Sequence, residues 1–297
     1  MTRVLFETVD VFTDRRFGGN QLAVVLDARG LSDGEMQSLA AEFNLSETTF
    51  VLPPAEATHT ARVRIFNRTA EMPFAGHPNV GTACVLAWRG LGVGDAMTFE
   101  GAAGLVHVRL RRGSDGQVNG ATVTAPRLLS LGTEIPAAEV AGCVGIAAED
   151  VIVSAHQPVL ASVGNTYIIA EVSGDALTRA TPDVAAFRRA VAARPMLGGR
   201  YSLHLYARGD GPVRARMFAP LAGTYEDPAT GSANAPLGAL LLSLTREERY
   251  ELEVVQGVEM GRPSRLYVTA WREGDGIRAT VGGTCVPVMK GEAIVGD

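Results

Sequence analysis

The chain has 297 residues, 46% of them apolar and 20% charged, with a formal net charge of -5; this is the balance of a globular protein with room for one large domain or two ordinary ones. A negative balance without a Lys/Arg cluster gives no electrostatic reason to bind nucleic acid, and no apolar run approaches the roughly 20 residues that span a bilayer. Cys84, Cys143 and Cys285 are scattered without C-x-x-C spacing, and Glu7 and Asp10 interrupt the N-terminus before a signal-peptide core could form; neither a disulfide framework nor a zinc site is expected, and the expected compartment is the cytoplasm.

Taken in chain order, residues 4–9 alternate as a strand does. Ser32-Asp33-Gly34-Glu35 opens a helix that runs to Phe43. Residues 43–51 are strand-like but carry Ser46 and Glu47 between apolar neighbours, where a glutamate is uncommon unless it faces water or a site. Another strand covers residues 62–66. A Pro- and Gly-containing turn at 71–76 leads into residues 80–88, which are apolar nearly all round and predict a helix buried on every side. Residues 126–133 read as a link, a second outer helix is expected from about Asp183 to Ala193, and residues 236–244 repeat the wholly buried helix.

The most informative feature is an internal duplication. Gly19-Asn20-Gln21-Leu22-Ala23-Val24-Val25 returns as Gly164-Asn165-Thr166-Tyr167-Ile168-Ile169-Ala170, and Arg64-Ile65-Phe66 as Arg216-Met217-Phe218. Glu71 to Asn79 matches Glu226 to Asn234, Glu100-Gly101 matches Gln256-Gly257, and Ala121-Thr122-Val123 matches Ala279-Thr280-Val281. The matches are collinear, with offsets that grow slowly from 145 to 158, so the chain reads as two homologous halves. They are expected at residues 1–127 and 128–283, with residues 284–297 returning to the first. Each is expected to be a largely antiparallel sheet curled round its buried helix, in an α+β protein.

Both halves place a glycine, Gly76 or Gly231, where the buried helix begins. The first turn of a helix carries unsatisfied N–H groups and the positive end of the dipole, a combination that binds carboxylates, and glycine permits close approach. The two starts carry different polar residues: His77 in one, Asp227 and Ser232 in the other. If the halves face each other about a pseudo-twofold axis, both starts should meet in one cleft, which would hold a small anionic substrate.

The chain resembles the PhzF-like (phenazine-biosynthesis) isomerases over essentially its whole length. The residues that carry the likeness are Asp10-Val11-Phe12, Gly18 to Val25, Leu45-Ser46-Glu47-Thr48-Thr49-Phe50, Pro73-Phe74-Ala75-Gly76-His77-Pro78, Asp227-Pro228-Ala229-Thr230-Gly231-Ser232-Ala233 and Gln256-Gly257. Gln21, Asn67-Arg68 and Asn79 depart from the commonest pattern of the family. The resemblance implies a fold similar to diaminopimelate epimerase, a homodimer and no cofactor. It implies that Glu47 carries a proton on a small cyclic or unsaturated carboxylate, as in isomerisation of dihydro-3-hydroxyanthranilate. By the same resemblance His77, Asp227 and Ser232 bind substrate or relay protons, while Gly76, Gly231, Asn20 and Thr230 bind substrate. The two opposed cysteines of epimerase-type relatives have no counterpart at either helix start. The alternatives are a non-catalytic protein that binds small anions, or an epimerase acting on another substrate.

Overall fold

The computed structural model describes residues 1–92 and 94–296, so the final position of the expected C-terminal segment, 297, lies outside the described residues. The chain divides into two compact units, Met1–Pro126 with the stretch from Thr280 onward, and Arg127–Ala279. The elements through the first unit are β1 (Thr2–Val11), β2 (Asn20–Val25), α1 (Asp33–Phe43), β3 (Glu47–Leu52), β4 (Ala61–Phe66), β5 (Glu71–Met72), α2 (Gly76–Trp88), β6 (Ala96–Gly101), β7 (Gly104–Arg112) and β8 (Val118–Thr124). There follow β9 (Ser130–Glu134), α3 (Ala137–Val144), β10 (Val151–Ile152), β11 (Val159–Ser162), β12 (Thr166–Val172), α4 (Gly174–Arg179), α5 (Val184–Ala192) and β13 (Leu203–Ala207). The last are β14 (Val213–Ala219), β15 (Thr224–Asp227), α6 (Gly231–Ser243), β16 (Arg249–Gln256), β17 (Ser264–Glu273) and β18 (Gly276–Val295).

In the first unit β1 pairs antiparallel with β2, β2 runs parallel to β3, β3 is antiparallel to β4, and β4 runs parallel to β6. β6, β7 and β8 form a meander, and β18 then pairs with both β8 and β1. The pairings close on themselves, so this barrel of eight strands has no open edge. α2 packs against β1, β2, β3, β7 and β8, and every residue from Gly76 to Leu86 is buried. The sheet surrounds a helix, which is why the helix needs apolar residues on all its faces. α1 lies outside. Its Met36, Leu39 and Ala40 pack with Val25, Phe50 and Phe66, and Ser32 and Glu35 close a capping box at its start.

The second unit repeats the pairing order: β11 with β12, β12 parallel to β13, β13 with β14, β14 parallel to β16, and β16 with β17. Short β15 lies on β14 as β5 lies on β4. α6 packs on β11, β12, β16 and β17 with Gly231 to Leu242 all buried. Gly76 and Gly231 are each the first residue of a 13-residue helix. The expected α+β architecture, a sheet round a central helix built twice, is the observed one. One expectation fails: residues 126–133 are not all linker, because β9 pairs Ser130 with Ser162 and Leu131 with Ala161. All five residues of β9 are exposed, so the strand lacks the alternation that burial imposes and is held by main-chain pairing.

The duplication also repeats an ion pair that braces the turn before each helix. Arg64 holds Glu71 through two bonds of 2.8 and 2.7 Å, and Arg216 holds Glu226 through two of 2.7 and 2.8 Å. Each guanidinium also sits over the phenylalanine two positions on, Phe66 at 5.1 Å and Phe218 at 4.8 Å. A bidentate, stacked arginine fixes the angle of its partner.

Close packing of α2 on its wall depends on Gly81. A Cβ there would lie 2.6 Å from Leu22 Cδ2 and 2.8 Å from Val11 Cγ2. Gly81→Ala should cost about 1–3 kcal/mol by overpacking, although alanine is the better helix former. Gly34→Ala in α1 meets nothing within 4 Å and should cost nothing. Urea unfolding of the two variants checks the difference, and equal midpoints would contradict a tightly enclosed α2.

Candidate active site

Each helix start combines open main-chain donors with polar side chains brought in from the surrounding strands. Among the described residues no side chain caps α2 or α6, and neither first turn contains an acid. The N–H groups of these turns therefore keep their affinity for an anion.

At the start of α2, His77 is buried and its Nε2 lies 3.3 Å from Glu47 Oε2. Glu47 is the first residue of β3, and its side chain is 17% exposed, so it stands at the margin of the unit and not in open solvent. The other side of the imidazole meets β2. Asn20 Nδ2 approaches His77 Nδ1 at 3.3 Å, and the Ser46 hydroxyl donates to Asn20 Oδ1 at 2.8 Å. The Ser46 bond makes the Asn20 oxygen an acceptor and turns its NH₂ towards the imidazole. Nδ1 is thus the ring nitrogen engaged from β2, and Nε2 is the one that faces Glu47.

Burial pushes the His77 pKa down to about 3, against a smaller opposing effect from a hydrogen bond to the Gln21 main chain. The ring is therefore neutral at physiological pH, because an enclosed site disfavours the imidazolium. Among the described residues Nε2 makes no hydrogen bond; its approach to Glu47 is a polar contact.

At the start of α6, Asp227 is buried at the end of β15 and accepts from the Thr230 hydroxyl at 2.5 Å. Ser232 Oγ lies 2.6 Å from the hydroxyl of Tyr167 on β12. Behind them Gln256, Asn234 and His204 form a buried hydrogen-bonded group. Desolvation lowers the His204 pKa to about 4.

The structure thus joins Glu47, His77 and Asn20 in the first unit, and Asp227 with Thr230 in the second. Ser232 lies on the same helix start as Gly231. Ser46, Tyr167, Asn234, His204 and Gln256 were not among the sequence candidates. The sequence carried a signal for Asn234, which matches Asn79 in the duplication; each side chain donates to the carbonyl preceding its helix, Ala75 at 2.8 Å and Thr230 at 3.0 Å. Tyr167 stands where the first half has the apolar Leu22.

The sequence matches the family described as phenazine biosynthesis-like protein over residues 9–291. The chain belongs to that family. It is 34% identical to the trans-2,3-dihydro-3-hydroxyanthranilate isomerase of Pseudomonas aeruginosa over 292 residues, which cover 97% of this chain and 98% of the relative. The crystal structure of a PhzF-family phenazine biosynthesis protein of Bacillus anthracis matches with a TM-score of 0.87 at 27% identity, covering 99% of this chain and 100% of that one. A hydroxyproline epimerase of Agrobacterium vitis shares the fold alone, with a TM-score of 0.67 at 14% identity over 99% of this chain and 91% of that one. The protein is an isomerase of the phenazine biosynthesis-like family, with an epimerase-like α+β fold. No helix among its described residues is long and apolar enough to cross a membrane.

A neutral His77 has a consequence for stability. An unfolded histidine takes up a proton as the pH falls through about 6.5, whereas the folded ring resists until about 3. Its contribution is therefore full above pH 6.5 and is lost progressively as the pH falls towards 3. His77→Asn should flatten the slope of unfolding free energy against pH in that window, leaving the similar contribution of His204. Urea titrations at a series of pH values check this, and an unchanged slope would show that the fold does not disfavour the charged ring.

Proposed function

We propose that this isomerase moves a proton on a small cyclic or unsaturated carboxylate, with Glu47 as the acid–base group. The observation that carries the proposal is the approach of Glu47 Oε2 to a buried, neutral His77 beside the open first turn of α2. A neutral imidazole beside the carboxylate leaves its basicity intact, so Glu47 can accept a proton from an activated carbon. Once protonated, Glu47 can return that proton to another carbon of the same unsaturated system, which changes the position of a double bond and leaves the composition unchanged. The N–H groups at Gly76 would hold the substrate carboxylate. Asp227, Thr230, Ser232 and Gly231 enter the proposal as groups that bind and orient the substrate.

The compound that the Pseudomonas relative is named for, trans-2,3-dihydro-3-hydroxyanthranilate, is the first substrate to offer. The family resemblance supports a homodimer that works without a cofactor.

Glu47→Gln keeps the shape of the side chain and removes its basicity. Turnover of that substrate should fall by about 10²–10⁴-fold, with substrate affinity changing far less, because the carboxylate is held by main-chain groups. Deuterium uptake at the reacting carbon in deuterated water should fall with it. Undiminished turnover and exchange would remove Glu47 from the acid–base role.

A further inference from the structure

Gln256 ends β16, is fully buried and has no part in the acid–base assignment. Its amide uses all four of its hydrogen-bonding positions. Oε1 accepts from the Thr230 N–H at 3.1 Å and from Asn234 Nδ2 at 2.9 Å. Nε2 donates to the Asp227 carbonyl at 2.8 Å and to Thr230 Oγ1 at 3.0 Å. The orientation is forced, because the Thr230 main-chain N–H can only donate and the Asp227 carbonyl can only accept.

The remaining protons follow from that one. Asn234 spends its two N–H donors on Gln256 and on the Thr230 carbonyl, so its Oδ1 accepts from His204 Nε2 at 3.1 Å. The Thr230 hydroxyl has a single proton. Its oxygen receives Gln256 Nε2 on one lone pair, which turns the hydroxyl so that its proton points to Asp227 Oδ2 at 2.5 Å.

We propose that Gln256 is a positioning residue, which by donating to Thr230 Oγ1 commits the Thr230 proton to Asp227 and so holds Asp227 as an ionised acceptor at the start of α6. The value of that ion to the reaction rests on the substrate-binding role given to Asp227 above; the hydrogen-bond geometry does not. A hydroxyl that donates to a carboxylate favours its charged form, and a donor that polarises the hydroxyl strengthens the effect.

Arg216 on β14 is closed on Glu226 and reaches Glu259 at 3.9 Å, and His204 on β13 is neutral. The duplication supplies a contrast. At the place of Gln256 the first half has Glu100, which can only accept, and it accepts from the N–H groups of Ala55 and Glu56 at 2.8 and 2.9 Å. A glutamate could not donate to the threonine, so the amide is a requirement of the second half alone.

The experiment follows the carboxyl carbon of Asp227 by ¹³C NMR through a pH titration of the full-length protein, in wild type, Gln256→Met, Thr230→Val and the double variant. Thr230→Val should raise the Asp227 midpoint by about one unit, the loss of one charge-assisted hydrogen bond. Gln256→Met should raise it by less, and the double variant should match Thr230→Val alone, because Gln256 acts through the hydroxyl. An unmoved midpoint in Gln256→Met, or shifts that add in the double variant, would overturn the proposal, even where the melting temperature drops as a purely structural role requires. Should Gln256→Met fail to fold, the near-isosteric Thr230→Val still decides, since an unmoved midpoint there breaks the same route. The titration reads no activity. Failure of the isomerase reading would appear in Glu47→Gln and leave these shifts in place.

Discussion

A helix that is enclosed by sheet on all sides can carry no polar face. Its interior N–H and C=O groups are satisfied within the helix, small and apolar residues fill most of α2 and α6, and Thr82 in the middle of α2 is paired with Thr49 at 2.8 Å. The first turn is the exception. Its N–H groups have no partner within the helix, and it lies where strands end and loops supply side chains. Enclosure therefore confines chemistry to the two helix starts, and the braced turns ahead of them, Arg64 on Glu71 and Arg216 on Glu226, set where those starts lie in each unit.

Duplication gave both units the same frame and left the polar residues free to diverge. Where the first has His77 the second has Ser232, and where the first has Glu100 the second has Gln256. The outcomes differ in kind. His77 meets a carboxyl group and an amide that orients it. Ser232 meets a tyrosine hydroxyl, and the carboxylate of that unit, Asp227, is held by a threonine that an amide has oriented. In the proposed reaction one start handles a proton and the other holds a fixed charge.

The fold was legible because its strongest signals are of long range in the sequence. The repeated Gly-Asn, Arg-x-Phe and E-x-P-x-x-G pieces locate β2, β4 and α2 and their counterparts, and all-round apolarity marks both helices as enclosed. β9 was not legible, because a strand exposed at every residue has no alternation to read. At the site, Glu47 and His77 could be named from motifs, but their approach depends on the parallel pairing of β2 with β3, which sets Leu22 opposite Glu47. Gln256 and Tyr167 were hidden for another reason: buried hydrogen-bonding residues are recognised by their partners, and the partners lie tens of residues away.

The proposed acid–base role of Glu47 depends on the charge of the ring beside it. An imidazolium 3.3 Å from Glu47 Oε2 would pair with the carboxylate and lower its basicity, whereas a neutral ring leaves that basicity intact. Burial keeps His77 neutral until the pH falls to about 3. ¹⁵N NMR of selectively labelled histidine near neutral pH, with the His77 signals assigned by difference against His77→Asn, reads that charge directly. The predicted spectrum is that of a neutral ring; an imidazolium would contradict it.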